Sequence, residues 1–264
     1  MRYESYSKLK FSNKDRVLTV TIDSGARMNA VNDDLHRELA QVFTDLQNDP
    51  DCDIVILTGA GDAFCAGGDM TWFQEMIDDP RRFRSIAPDG KRIVFSLLEL
   101  EKPLICRLNG AAVGLGCSIA LLCDVIVASN TAVIGDPHVK VGLVAGDGGA
   151  VIWPQLVGFA RAKEFLMTGE MVSADQAAEW GMINYSVPQE HLDAKVSEVV
   201  AKVAANPRWA VRWTKTAVNL TLKQIAAQVM DAAIAYEIST NSMADRQEAV
   251  AAFVEKRAPR FTGE

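Results

Sequence analysis

The sequence is short of basic residues, of paired cysteines and of long apolar runs. Lysine and arginine number 27 against 34 aspartates and glutamates, for a formal net charge of -7. Binding to nucleic acid needs a basic face, so this balance argues against nucleic acid as the main partner; a phosphorylated cofactor needs only a local cluster. The five cysteines, Cys52, Cys65, Cys106, Cys117 and Cys123, are odd in number and form no CxxC pair or Cys/His ligand spacing. A disulfide framework and structural zinc are therefore not expected, and a reduced, cytoplasmic setting is. No apolar run approaches the ~18 residues of a membrane span, and the start, MRYESYSKLKFSNKDR, is too polar for a signal peptide. No membrane partner and no metal are expected.

What is present is ordinary globular material: 264 residues, 49% hydrophobic and 23% charged, enough to bury a core without staples. Short β-branched runs recur at Val17–Ile22, Ile54–Thr58, Leu104–Leu108, Asp124–Ala128 and Ala132–Ile134. Each is too short for a helix and most are bounded by Gly, Asp, Asn or Pro, which predicts buried strands. Helical patterns alternate with them at Asp33–Asn48, Arg92–Leu100 and Ser118–Leu122, predicting an α/β architecture. From about residue 190 the pattern is helical throughout, as Leu192–Ala205, Pro207–Leu222 and Lys223–Phe253. The expected organisation is an α/β core over residues 1–200 and a helical segment over residues 201–264.

Two segments join a strand, a glycine-rich turn and a helix start: Ile54 through Asp69, and Leu104 through Ser118. Glycine lets a backbone turn sharply and lets another group approach closely. A helix start leaves N–H groups unpaired, with a partial positive charge. Two such ends facing one cavity hold a developing oxyanion; two tight turns without chemistry are the alternative.

The residues in these turns carry a resemblance. Phe64-Cys-Ala-Gly-Gly-Asp-Met70 and Asn109-Gly-Ala-Ala-Val-Gly-Leu-Gly116 resemble the two oxyanion-hole motifs of the crotonase (enoyl-CoA hydratase/isomerase) superfamily. Arg27-Met-Asn-Ala30 resembles its adenine- and phosphate-contacting turn, Phe165–Gly169 with Ala174–Gly181 its later helices, and Glu248–Gly263 its C-terminal signature. The match runs over nearly the whole chain, in order. The resemblance implies a spiral of ββα units followed by a helical trimerisation segment, and a homotrimer or a hexamer made of two trimers. It implies an acyl-CoA thioester substrate, with coenzyme A part of the substrate and no cofactor bound permanently. The thioester oxygen is then held by the N–H groups of Gly68 and Leu115, and CoA by Arg27, Ala30, Ala66, Asp69, Met70 and Lys256. Two positions depart from the pattern: Ser24-Gly-Ala-Arg27 lacks the proline common before the adenine turn, and Leu115 stands where glycine is usual.

The greater departure is chemical. Both glutamates of the family's hydratases are missing: their positions hold Ser118 and, in Gly135-Asp-Pro-His-Val139, His138. Serine cannot act as a carboxylate base, whereas histidine, with an unperturbed pKa of ~6.5, suits neutral pH. Asp147, in Val144-Ala-Gly-Asp-Gly-Gly149, is placed to fix the His138 tautomer as an orienting carboxylate, or to cap a helix over Gly148–Leu156. His138 with the Gly146-Asp-Gly…Trp153-Pro154 segment resembles the crotonase branch that includes 6-oxocamphor hydrolase, which cleaves a cyclic β-diketone without CoA. A Ser118–His138–Asp147 nucleophilic triad is a further arrangement to test by geometry; Ser118 as a cap is its alternative. His36 is expected to be solvated and His191 to lie in a loop. Trp72, Phe73 and Met76 wall a pocket or pack the core. Arg81, Arg82 and Arg84 form a basic run beside a mobile loop.

Three functions follow. The first is an enoyl-CoA hydratase/isomerase-like enzyme with His138 as acid or base. The second is a CoA-independent β-diketone hydrolase, and the third an inactive assembly or binding subunit.

Overall fold

The computed structural model describes residues 3–264. Two strands open the chain, β1 (Leu9–Lys14) and β2 (Val17–Ile22), then helix α1 (Asp33–Gln47). Next come β3 (Ile54–Gly59), β4 (Ala63–Cys65), α2 (Met70–Asp78) and α3 (Pro80–Glu99). The pattern repeats as β5 (Leu104–Leu108), β6 (Ala111–Val113) and α4 (Leu115–Leu121), and again as β7 (Val125–Ser129), β8 (Val133–Gly135) and α5 (Gly149–Thr168). After β9 (Met171–Ser173), α6 (Ala174–Glu179) and β10 (Tyr185–Val187), the rest is helical: α7 (Leu192–Ala204), α8 (Arg208–Asn241) and α9 (Ala244–Glu255).

Each repeat gives one strand to a large sheet, ordered β1-β2-β3-β5-β7-β10, and the next to a small sheet, ordered β4-β6-β8-β9. This is the expected spiral of ββα units. Apart from the hairpin β1-β2, the large sheet pairs in parallel, as strands joined through helices must. Its inner strands are buried on both faces. Val55, Leu104 and Ile126 point into the main core with α1 and α3, while Ile54, Ile105 and Val127 meet Leu192, Val196 and Val199 of α7. Continuous β-branched runs are the signature of such strands. Helix α1 buries Leu35, Leu39, Val42, Phe43 and Leu46 on one stripe, and Asn32 caps it by accepting from Leu35 N–H at 3.0 Å.

Several expected boundaries move. The arginine run, expected beside a mobile loop, is helical, as is the segment around it through α2 and α3. Pro80 sits in the first turn of α3, where its missing N–H costs nothing. Pro88 lies in the interior, and burial of Phe83, Ala87, Ile93, Val94 and Leu97 offsets its lost hydrogen bond. Arg81, Arg82 and Arg84 are therefore helical residues, and Arg82 pairs with Glu75 at 2.7 Å. The expected break after Leu222 is absent, since α8 runs unbroken for 34 residues. Strands β4, β6, β9 and β10, three residues each, were too short to show a pattern.

Candidate active site

The two glycine-rich turns meet at one buried cavity, which Gly68 and Leu115 both line. The first turn follows β4 and is pinned on three sides. Val31 N–H donates to Gly67 O at 2.7 Å, Asp69 N–H to Val31 O at 2.9 Å, and Ala66 N–H to Met28 O at 3.0 Å. Residue 68 must be glycine because a Cβ there would lie 2.2 Å from the Phe73 ring. In the second turn Gly114, at φ +55°, caps α4 and donates to Gly135 O at 2.9 Å. Among the described residues, the turn hydrogen bonds take up the N–H of Ala66, Asp69 and Gly114, and none takes up that of Gly68 or Leu115. Two unspent donors at one cavity suit an oxyanion.

Asn29 and Asn109, one from each conspicuous motif, are structural. Their side-chain amides both donate to Ala63 O, at 3.0 and 3.1 Å, tying the Arg27–Ala30 turn and the second turn to β4. Asp69 caps α2 through Thr71 N–H at 2.9 Å. Arg27, Ala30, Ala66, Asp69 and Met70 are thus drawn together around the first turn. Lys256 is exposed at the C-cap of α9, and among the described residues no hydrogen bond or ion pair joins it to that turn. Beside the turn, a shallow groove is lined by Asn32, Asp33, Asp34, Asp69, Thr71, Trp72 and Glu75, an acidic set.

His138, Asp147 and Ser118 come together in the cavity region, in an order other than expected. His138 Nε2 faces Asp147 Oδ2 at 3.4 Å, and Asp147 Oδ1 accepts from Ser118 Oγ at 3.3 Å. Ser118 therefore contacts the aspartate, and a Ser–His–Asp nucleophile is not assembled; nor is Ser118 a cap, since Gly114 holds that place. Asp147 does not cap α5 either: Gly148 is the N-cap, with no side-chain bond. The other ring nitrogen, Nδ1, meets Asp136 Oδ1. The chain of contacts reads Asp136–His138–Asp147–Ser118. The donor atoms of the first three lie within 4.8 Å of one another. Because the carboxylates meet opposite nitrogens of one ring, the set is a hydrogen-bonded chain and not a metal shell.

Two further residues were passed over in the sequence. His36, expected to be solvated, is buried and lines the cavity, its ring 5.4 Å from Trp72. Its spacing to Leu39, Ala40 and Phe43 is that of a buried stripe, and carried the signal. Glu237 of α8 also lines the cavity, in a stripe with Met230, Ala233 and Asn241. Trp72, Phe73, Met76, Phe83, Leu143 and Ile234 supply apolar wall. His191 lies in a short helical turn away from these contacts.

The electrostatics follow from burial and pairing. Burial alone would lower the His138 pKa, but Asp136 and then Asp147 outweigh it and raise it well above the usual histidine value. Burial works against ionised Asp147, yet His138 holds it below the usual carboxylate range. Burial lowers the His36 pKa below the usual histidine value. Glu237 is pushed up to about 8 by burial, then by Asp147.

Two unspent backbone donors and a buried histidine–carboxylate pair on one cavity are the arrangement of an α/β enzyme. The chain belongs to the enoyl-CoA hydratase/isomerase family of the crotonase superfamily, whose profile matches residues 12–264. It is 35% identical to a short-chain-enoyl-CoA hydratase of Clostridium acetobutylicum, covering 92% of each chain. It is 33% identical to 1,2-epoxyphenylacetyl-CoA isomerase of Escherichia coli, over 94% of this chain and 95% of that one. An enoyl-CoA hydratase/isomerase structure from Mycobacterium paratuberculosis superposes with a TM-score of 0.90 at 33% identity, over 94% and 99% of the two chains. A β-diketone hydrolase from Anabaena, bound to (S)-3-oxocyclohexyl acetic acid, superposes with a TM-score of 0.85 at 31% identity, over 91% and 96%.

Proposed function

We propose that the chain hydrolyses a carbon–carbon bond of a β-diketone, without CoA. The observation that carries this reading is the His138–Asp147 pair, 3.4 Å apart on the cavity, where a hydratase would carry glutamates. At rest the pair holds one proton. Water adds to one carbonyl carbon and passes a proton to the pair. The bond between that carbon and the α-carbon then breaks, its electron pair forming an enolate. The enolate oxygen sits between the N–H groups of Gly68 and Leu115. Glu237, still protonated near neutral pH, gives the α-carbon its proton and is reprotonated from the pair. One water thus converts a cyclic β-diketone to a keto acid, the class of molecule bound to the Anabaena hydrolase.

An acyl-CoA substrate is the second reading, favoured by the exposed Arg27 in a turn whose Met28 O accepts from Ala66 N–H and by the CoA enzymes among the relatives. Incubation of a panel of cyclic β-diketones in 18O-labelled water separates the two. A keto acid carrying one labelled oxygen is expected without CoA. No keto acid from any diketone, together with turnover of an enoyl-CoA, overturns the hydrolase reading. Turnover of either kind removes the inactive-subunit reading.

The same proposal includes a homotrimer or a hexamer. Trp209, Trp213, Val218 and Leu220 on α8 are each about half exposed or more, an unusual apolar display for a monomer.

A further inference from the structure

Asp136 stands two residues before His138, just past β8, and is 1% exposed. Its Oδ1 accepts from His138 backbone N–H at 3.4 Å and meets ring Nδ1. Its Oδ2 is buried without a hydrogen-bond partner. Space for that oxygen exists only because residue 149 is glycine, where a Cβ would lie 2.0 Å away. Asp136 does not line the cavity, whereas His138 and Asp147 do.

We propose that Asp136, and not Asp147, is the positioning residue for His138. It keeps the proton on Nδ1 and aims Nε2 at Asp147, which lines the cavity. The assignment stands on burial and geometry. An imidazole has one nitrogen for its orienting partner and one for its chemistry, and the partner belongs on the closed side. Beyond the His138 backbone N–H, the imidazole is the one partner this buried carboxyl group has among the described residues, so losing the proton from Nδ1 costs it the stronger of two contacts. Asp147 differs: it has a second partner in Ser118 of α4 and an opening to the cavity. The other ionisable groups around the pair are Glu237 from α8 and His36 from α1, with Arg246 of α9 acting on Glu237. None of these hydrogen-bonds the His138 ring among the described residues.

The water's identity as nucleophile rests on the hydrolase reading, but the tautomer does not, and nitrogen NMR tests it without substrate. The chain has three histidines, so three 15N-labelled imidazoles are followed from pH 5 to 10. In the unaltered protein the neutral His138 ring is expected as the Nδ1–H tautomer. Asp147→Asn is expected to lower the His138 pKa and keep that tautomer. Asp136→Asn is expected to lower it by about one unit or more, tenfold in proton affinity, and to populate Nε2–H. A switch to Nε2–H in Asp147→Asn overturns the assignment, as does an unmoved tautomer in Asp136→Asn. The Asp147→Asn spectrum decides the matter alone if Asp136→Asn does not fold. The expected tautomer in a protein that cleaves no diketone sustains Asp136 as positioning residue and overturns only the hydrolase reading.

Discussion

Glu237 and Asp147 line one cavity in opposite states: burial and the charge of Asp147 push Glu237 up to about 8, while His138 holds Asp147 ionised against its own burial. Two carboxyl groups separated in this way suit two roles, one giving a proton and one receiving it.

The first consequence is a pH profile. With protonated Glu237 as donor to the α-carbon, kcat should fall as pH rises through about 8. Glu237→Gln should lower kcat by ~10²-fold or more, the range for positioned acid–base catalysis, and remove that limb. An alkaline limb unchanged in the variant counts against Glu237 as the donor.

The same residue affects stability. Glu237 binds its proton more tightly folded, at about 8, than at its ordinary 4.5. Unfolding therefore releases a proton between these values, and stability from this group declines as pH rises through that window. Melting temperature should drop from pH 5 to pH 8, and Glu237→Gln should flatten the decline. An equal decline in both proteins assigns it to other groups.

Replacing the dyad tests the chemistry directly. His138→Ala should cost ~10²–10⁴-fold in turnover. Asp147→Asn should lose a substantial part of that and also lower the melting temperature, because it breaks the ion pair with buried His138. Unchanged turnover in Asp147→Asn would remove it from the mechanism.

Coenzyme A should leave the melting temperature unmoved at millimolar concentration, whereas a cyclic β-diketone should raise it. A ligand at 100 times its Kd stabilises by ~2.7 kcal/mol, a shift easily read by thermal scanning. Crotonyl-CoA should be hydrated weakly; hundreds of turnovers per second, within the ~1–10³ range of ordinary enzymes, would restore the hydratase reading.

Trp213→Glu should weaken a trimer if α8 forms its contact face. Light scattering after size exclusion checks this, and an unaltered mass would place the contact elsewhere.

The fold was legible where pattern and length agreed. β3 wrote itself as a β-branched run, β5 as a short, mainly apolar one, and α1 as a capped stripe. The first half of helix α3 was hidden because Pro80, Pro88 and Gly90 read locally as breakers, whereas its second half was expected from Arg92 onward; packing against α1 and α8 joins the two. At the site, Gly68, Leu115, His138 and Asp147 came from motif position, and the structure gathers them at one cavity. Asp136 was invisible because a carboxylate beside a proline reads as a turn. Glu237 lies about a hundred residues from His138, and only the fold of α8 returns it to the cavity.

That fold has a mechanical side. At 1.5 Å per residue, the 34 residues of α8 make a rod roughly 50 Å long. Its beginning carries Trp209 and Trp213 in solvent, and Glu237 sits one turn from its end. A neighbour gripping the tryptophans would hold the far end of a stiff lever whose other end bears a proton-donating group. A contact made at the surface and a residue lining the cavity would thus belong to one continuous helix.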